Sequence, residues 1–211
     1  MSYSVCIASA SPRVHSNSAS IAEFIRQALV RNDVEADILN LERRWDMTGA
    51  AEEIGNADLL ILVSPLYHDT LSWSATALLE EISRSSCRMK QFAAVVHSGY
   101  PEGAQRETAL DICRCFADMH QMRWLGAVSP GLTSVIGGVE LQKSASMFKN
   151  LRYCLEQAAA CWAKGEEVPE EVTNNSQRPP VSPRLLKLMG NMSIRKNAKK
   201  KGLDILRKPY G

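Results

Sequence analysis

Serines 9, 11, 16 and 18 crowd together with Arg13, His15 and Asn17 into the short stretch Ser9–Ser18, which ends where a helical pattern begins. The first turn of any helix leaves N–H groups without intrahelical partners. Such groups, ringed by hydroxyls and one guanidinium, suit an anion carrying close to two charges, such as a phosphate monoester. Ser11, Arg13, Ser16, Asn17 and Ser18 are the candidates for that cradle, with Arg13 covering the outer face of the ligand. A plainer reading also fits: Ser16 or Asn17 caps the helix and the rest is solvated loop. No glycine-rich run leads into Gly-Lys-Ser/Thr, so a Walker-type site with magnesium is disfavoured.

Two more loops follow apolar runs. In Ser64-Pro-Leu-Tyr-His-Asp-Thr70, Pro65 stiffens the entry, Tyr67 offers a ring beside a planar ligand, and the amides of Tyr67–Asp69 face a ring nitrogen. Filling a surface turn is the alternative for Tyr67 and His68. His68 beside Asp69 has the form of a base with its orienter, but neighbours in sequence rarely point the same way. In Ser98-Gly-Tyr-Pro-Glu-Gly103, Gly99 permits close approach of backbone to a ring, and the amides after it can stabilise a developing negative charge. Glu102 either hydrogen-bonds nearby or caps the helix that follows.

These loops need a scaffold, and the hydrophobic pattern supplies one. Tyr3–Ser9, Val34–Leu39, Ala57–Ser64, Gln91–His97 and Met122–Val128 read as strands, and the unbroken apolar run of the third marks burial on both faces. Helical spacing recurs between them: Ile21, Phe24, Ile25, Ala28 and Leu29; Leu71, Ala75, Leu78, Leu79 and Ile82; Ala109, Ile112, Cys113, Phe116 and Met119. A long helix is predicted from Leu141 to Ala163, with Phe148, Leu151, Leu155, Ala158 and Trp162 inward, and weaker helical character over Ala50–Ile54. Alternation of this kind predicts an α/β fold with helices on both faces of a parallel sheet.

The chain has 211 residues, 45% hydrophobic and 23% charged, with a net charge of +2, which fits one globular domain with a decorated end. Segment 184–208 is strongly basic, and its many leucines imply packing rather than a free arm; short helices are predicted near 184–189 and 194–202, after a proline-rich linker at Asn174–Pro183. Lys199-Lys-Lys201 is short and lacks aromatic platforms, so nucleic-acid binding is not expected. No apolar run reaches the roughly eighteen residues that cross a bilayer, and no basic-then-apolar leader is evident, so a cytoplasmic location is expected. The six cysteines show no two-residue-gap pair, and buried thiols are expected.

The loops together resemble those of the NAD(P)H-dependent FMN reductases, which share the flavodoxin-like fold. The pattern Gly-Ser-Pro-Arg-x-x-Ser-Asn-Thr is matched by Ala10-Ser-Pro-Arg-Val-His-Ser-Asn-Ser18, the strand before Pro-x-Tyr by Ile61–Tyr67, and Ser/Thr-Gly-aromatic by Ser98-Gly99-Tyr100. The resemblance implies a three-layer sandwich with a five-stranded parallel sheet of order 2-1-3-4-5. Residues 1–165 would form the FMN-binding domain and 166–211 a linker and basic extension, packed on the body or on a partner subunit. It also implies FMN held by Ser11, Arg13, Ser16, Asn17 and Ser18, with the isoalloxazine between Pro65, Leu66, Tyr67, His68 and Asp69 on one side and Ser98, Gly99, Tyr100 and Glu102 on the other. Ala10 departs from the family's glycine, which an ordinary backbone angle would tolerate.

The activity so implied is hydride transfer from NAD(P)H to FMN and onward to a small acceptor such as a quinone or free flavin, with no metal. Tyr67, His68 and Tyr100 are the candidates for shaping the acceptor pocket, with His68 as proton donor where a quinone is reduced. A homodimer completing its crevices across the interface is expected, with the tail or Leu41–Gly49 as contact. Two other readings are an electron-carrying flavodoxin, which the basic balance disfavours, and a binding or scaffold protein with a relaxed flavin site.

Overall fold

A computed structural model describes residues 3–55, 57–85 and 89–203. Five parallel strands form its centre: β1 (Val5–Ser9), β2 (Ala36–Asn40), β3 (Leu59–Tyr67), β5 (Gln91–His97) and β6 (Arg123–Val128), in the order β2-β1-β3-β5-β6. With the sixth, two-residue strand set aside, this is the expected 2-1-3-4-5 arrangement. Val5 pairs with both Ala36 and Leu59, and Leu59 with Gln91, so β1 and β3 form the middle of the sheet.

The period of two in β3 divides its side chains between two cores. Leu59, Ile61 and Val63 join the layer of α1 (Asn17–Val30) and α5 (Lys149–Trp162). Leu60 and Leu62 join the layer of α2 (Ala50–Ile54), α3 (Trp73–Arg84) and α4 (Glu107–Met119). Every one of these β3 residues is fully buried, which is why the run shows no polar alternation. The apolar stripes predicted for the first helix and for the inner face of α5 are buried as expected.

The structure differs from the sequence reading in several places. The β3 strand continues through Pro65 to Tyr67, then reverses at His68 and Asp69 into β4 (Thr70–Leu71), so Leu71 belongs to a hairpin and α3 starts only after Ser72. The α4 face is turned: Ala109, Leu110, Cys113, Phe116 and Ala117 are buried, while Ile112 and Met119 are exposed. The long final helix shortens to Lys149–Trp162, preceded by two single 3₁₀ turns. Where a linker was predicted, α6 (Glu170–Ser176) packs on β6; the Thr173 hydroxyl donates to the Ala127 carbonyl and the Ser129 amide donates to Ser176 Oγ.

The chain divides into two compact units after Pro179. The second contains α7 (Pro183–Lys200), one helix in place of the two short ones predicted. Its Ser182 cap accepts from the Leu185 amide, and Pro183 opens its first turn. The expectations for Cys87 and for residues 204–208 lie outside the described residues.

Candidate functional site

The carboxyl ends of β1, β3 and β5 meet at the point where strand order reverses, and a cleft of about 360 Å³ opens there. The β1 strand delivers Ala10, whose amide donates to the Val63 carbonyl and whose own carbonyl accepts from two hydroxyls, Ser72 Oγ at 2.6 Å and Ser74 Oγ at 2.8 Å. Ser72 also caps α3, accepting from the Ala75 amide. One hydroxyl therefore ties the start of α3 to the root of the serine-rich loop. Ala10 is absent from the residues with positive φ, so the missing glycine costs no strain.

Beyond Ala10, Ser11 Oγ accepts from the Arg13 amide, and the chain turns through His15 with φ of 51°. Ser16 caps α1 by accepting from the Ala19 amide. The amides of Asn17 and Ser18 have no acceptor among the described residues, so the opening turn of α1 presents two free donors at the cleft. Arg13 lies 5.8 Å from the centre of the Tyr67 ring and pairs with no carboxylate among the described residues.

The cleft is closed by a segment that sequence reasoning left out, Thr133–Gly138. Asn17 clasps it with both ends of its amide: Nδ2 donates to the Thr133 carbonyl and Oδ1 accepts from the Gly138 amide, each at 2.8 Å. Gly138 has φ of +72°, and a Cβ there would meet the His15 carbonyl oxygen at 2.1 Å. Only glycine fits that approach.

His97, the last residue of β5, was also missed. Its hydrogen bonds fix its tautomer. The Thr133 hydroxyl donates its one proton to the Ser98 carbonyl, so it accepts from His97 Nδ1–H at 2.9 Å. The bare Nε2 then accepts from the Ser18 hydroxyl at 2.8 Å. Burial, aided by the charge of Arg106, pushes His97 down to about 4, so the ring is neutral near pH 7. Ser18 therefore offers the cleft its amide, its hydroxyl proton being committed to His97.

The lining comprises Ser11, Arg13, Ser16, Asn17, Ser18, Pro65, Leu66, Tyr67 and Gly99 of the predicted site, together with Val14, His15, His97, Thr133, Ser134, Gly137 and Gly138. No carboxylate is among them. His68 and Asp69 form the exposed two-residue turn of the β3–β4 hairpin, with φ of 50° and 59°, outside this lining. Tyr100 and Glu102 are likewise exposed and outside it, and Ser98 is buried behind it. The positive cleft, free amides and apolar Pro65–Leu66 floor suit a ligand with a phosphate at one end and a flat ring system at the other.

Comparison with known proteins bears on this geometry. No curated protein sequence matches the chain. Among solved structures, an apo NADH:FMN oxidoreductase aligns over 88% of this chain and 99% of its own, with a TM-score of 0.62 at 16% identity. An FMN-dependent NADH-azoreductase from Bacillus anthracis aligns over 76% and 99%, with a TM-score of 0.57 at 13% identity. An oxidoreductase from Corynebacterium diphtheriae aligns over 77% and 96%, with a TM-score of 0.53 at 16% identity. At such identities these likenesses establish the fold. The sequence profile of the family described as NADPH-dependent FMN reductase matches residues 4–130, more than half of the chain. Since that match spans the serine-rich loop, the Pro-Leu-Tyr turn and the Ser98–Glu102 wall, the chain belongs to the NADPH-dependent FMN reductase family.

Proposed function

We propose that this protein is an FMN-dependent reductase that draws hydride from a nicotinamide cofactor and passes the electrons to a small organic acceptor such as a quinone or free flavin. The observation that carries this reading is a cleft with α1 amides and an Arg13 that have no acceptor or carboxylate partner among the described residues, with no lining carboxylate and an apolar floor at Pro65–Leu66. A phosphate monoester there would be held by the Asn17 and Ser18 amides, by the hydroxyls of Ser11 and Ser16, and by Arg13. The isoalloxazine would lie along Pro65–Tyr67 with Gly99 facing its edge. The Gly99 amide has no acceptor among the described residues and is free to donate to a carbonyl edge that gains negative charge. When bound, FMN supplies the two-electron chemistry that no side chain here provides.

The protein's own part is orientation and exclusion of water. His68 and Tyr100 are exposed and each follows a lining residue in sequence; on this reading they would flank the entry that the nicotinamide and the acceptor use in turn. The test is flavin titration of the apoprotein beside anaerobic mixing with NADH and NADPH. The wild type should bleach with at least one nicotinamide. Arg13→Ala combined with Ser16→Ala should weaken FMN about tenfold or more while folding is kept. Unchanged affinity in the double variant would remove the phosphate assignment, and no bleaching by either nicotinamide would remove the reductase reading.

A further inference from the structure

Arg106 closes the 3₁₀ turn before α4, and its side chain is completely buried. Its Nε donates to Ser129 Oγ at 3.0 Å, and its Nη1 donates to Ser98 Oγ at 2.8 Å, to the Glu102 carbonyl at 3.0 Å and, more weakly, to the Tyr100 carbonyl at 3.4 Å. Among the described residues Nη2 has no acceptor and no carboxylate forms an ion pair with the group; the exposed Glu102 carboxylate acts on it only through space. A buried cation without a counter-ion is costly and persists only where oriented dipoles replace water. Three of the four dipoles that meet Arg106 come from one segment, Ser98–Glu102.

That segment is the wall of the cleft that carries Gly99. Its other fasteners are few: the Ser98 amide donates to the Pro130 carbonyl, the Leu132 amide donates to the Tyr100 carbonyl, and the Ser98 carbonyl accepts from the Thr133 amide and hydroxyl. Gly131 presses against the wall from the same side, since a Cβ there would meet the Tyr100 carbonyl oxygen at 2.6 Å. With the Glu102 carbonyl drawn toward the guanidinium, the Gly103 amide of the same planar peptide faces the other way; the Gly99 amide is set in the same manner by the Ser98 carbonyl, which Thr133 holds. The charge is felt in the cleft as well, for Arg106 is one of the two causes that hold His97 neutral. Burial lowers Arg106 itself only to about 10, so it stays cationic at pH 7.

We propose that Arg106 is a positioning residue of the flavin site, its guanidinium shaping the Ser98–Glu102 wall from behind and its buried charge favouring the reduced, more anionic flavin over the oxidised one. The second half of this proposal rests on the FMN reading; the first concerns the apoprotein alone.

The experiment uses the full chain as wild type, Arg106→Met, Arg106→Lys and Ser129→Ala. Amide hydrogen exchange of Ser98, Leu132 and Thr133, whose N–H groups make the hydrogen bonds that fasten the wall, is followed without flavin, then the FMN dissociation constant and the flavin midpoint potential are measured. Arg106→Met should speed exchange of the wall on the order of tenfold, weaken oxidised FMN on the order of tenfold, and weaken reduced FMN further, lowering the potential. Arg106→Lys keeps the charge without the fork, so the wall should loosen while the potential stays nearer to that of the wild type. Ser129→Ala removes one acceptor and leaves the charge in place, and it should loosen the wall by a few fold; this variant decides the point if Arg106→Met does not fold. Unchanged wall exchange in Ser129→Ala and Arg106→Lys overturns the positioning role. A potential that falls equally in the Met and Lys variants overturns the electrostatic role. A wild type that binds no FMN would sink the flavin reading, and the exchange data would still decide whether Arg106 holds the wall.

Discussion

Lowering the pH from 7.5 to 5 should destabilise this protein through one ring. His97 is buried, and burial first, then the Arg106 charge, lowers it from 6.5 to about 4. The unfolded chain takes up a proton at this residue around pH 6.5, whereas the folded chain resists until about pH 4, so stability falls across that window and levels off beneath it. Applying the linkage relation to those two values gives a loss of about 2 kcal/mol at pH 5. For a chain of this size that corresponds to a melting temperature roughly 4–8 °C lower. The carboxylates Glu23, Asp46, Glu53 and Asp58 are held below their ordinary range, chiefly by hydrogen bonds to Arg26, Thr48, Arg44 and Lys90 respectively. Their contributions are lost only under more acidic conditions. Thermal melts at pH 7.5, 6 and 5 read the slope, and imidazole nitrogen NMR reads the cause. The His97 ring should show an Nδ1–H tautomer that stays neutral at pH 5. A ring that titrates near 6.5, or one protonated at Nε2, would refute the hydrogen-bond assignment from which the argument starts.

Two substitutions test the scaffold of the cleft. Gly138→Ala should cost both stability and flavin affinity because its methyl would strike the His15 carbonyl at 2.1 Å; Gly137→Ala, with φ of +68° but open space, should cost only about 1–2 kcal/mol of backbone strain. Comparable melting losses in the two would show that the close approach is relieved elsewhere. Ser72→Ala removes the α3 cap and one of the two hydroxyls on the Ala10 carbonyl, and should cost about 1–2 kcal/mol in denaturant unfolding. A loss below a few tenths would mean that Ser74 alone secures the loop.

The scaffold was legible because burial writes a strong pattern. Ile61, Leu62 and Val63 have no water on either side, and Ile21, Phe24 and Ile25 recur at helical spacing. The α4 face was misjudged because Ile112 and Met119 keep that spacing too, and apolarity alone does not say which of two adjacent stripes meets the sheet. The hairpin at His68 and Asp69 carries neither Asn nor Gly, so its left-handed turn left no chemical trace. His97 looked like the end of an apolar strand, and Arg106 like one more charge at a helix start, since burial of a lone polar residue is set by tertiary contacts. The closing segment Thr133–Gly138 lies between the predicted elements and was given no role. Its doublet Gly137-Gly138 was the available signal, and it lies beyond the region matched by the family profile.

The clasp made by Asn17 also bears on the order of events during synthesis. It joins residues 121 positions apart, so a growing chain can complete β1, β3 and β5 and still lack the piece that shuts the cleft. Contacts between such distant residues form late, after the intervening chain has collapsed. On the proposed FMN reading, cofactor capture would wait until Gly138 has left the ribosome, and retained flavin would report molecules whose last core strand is already in place.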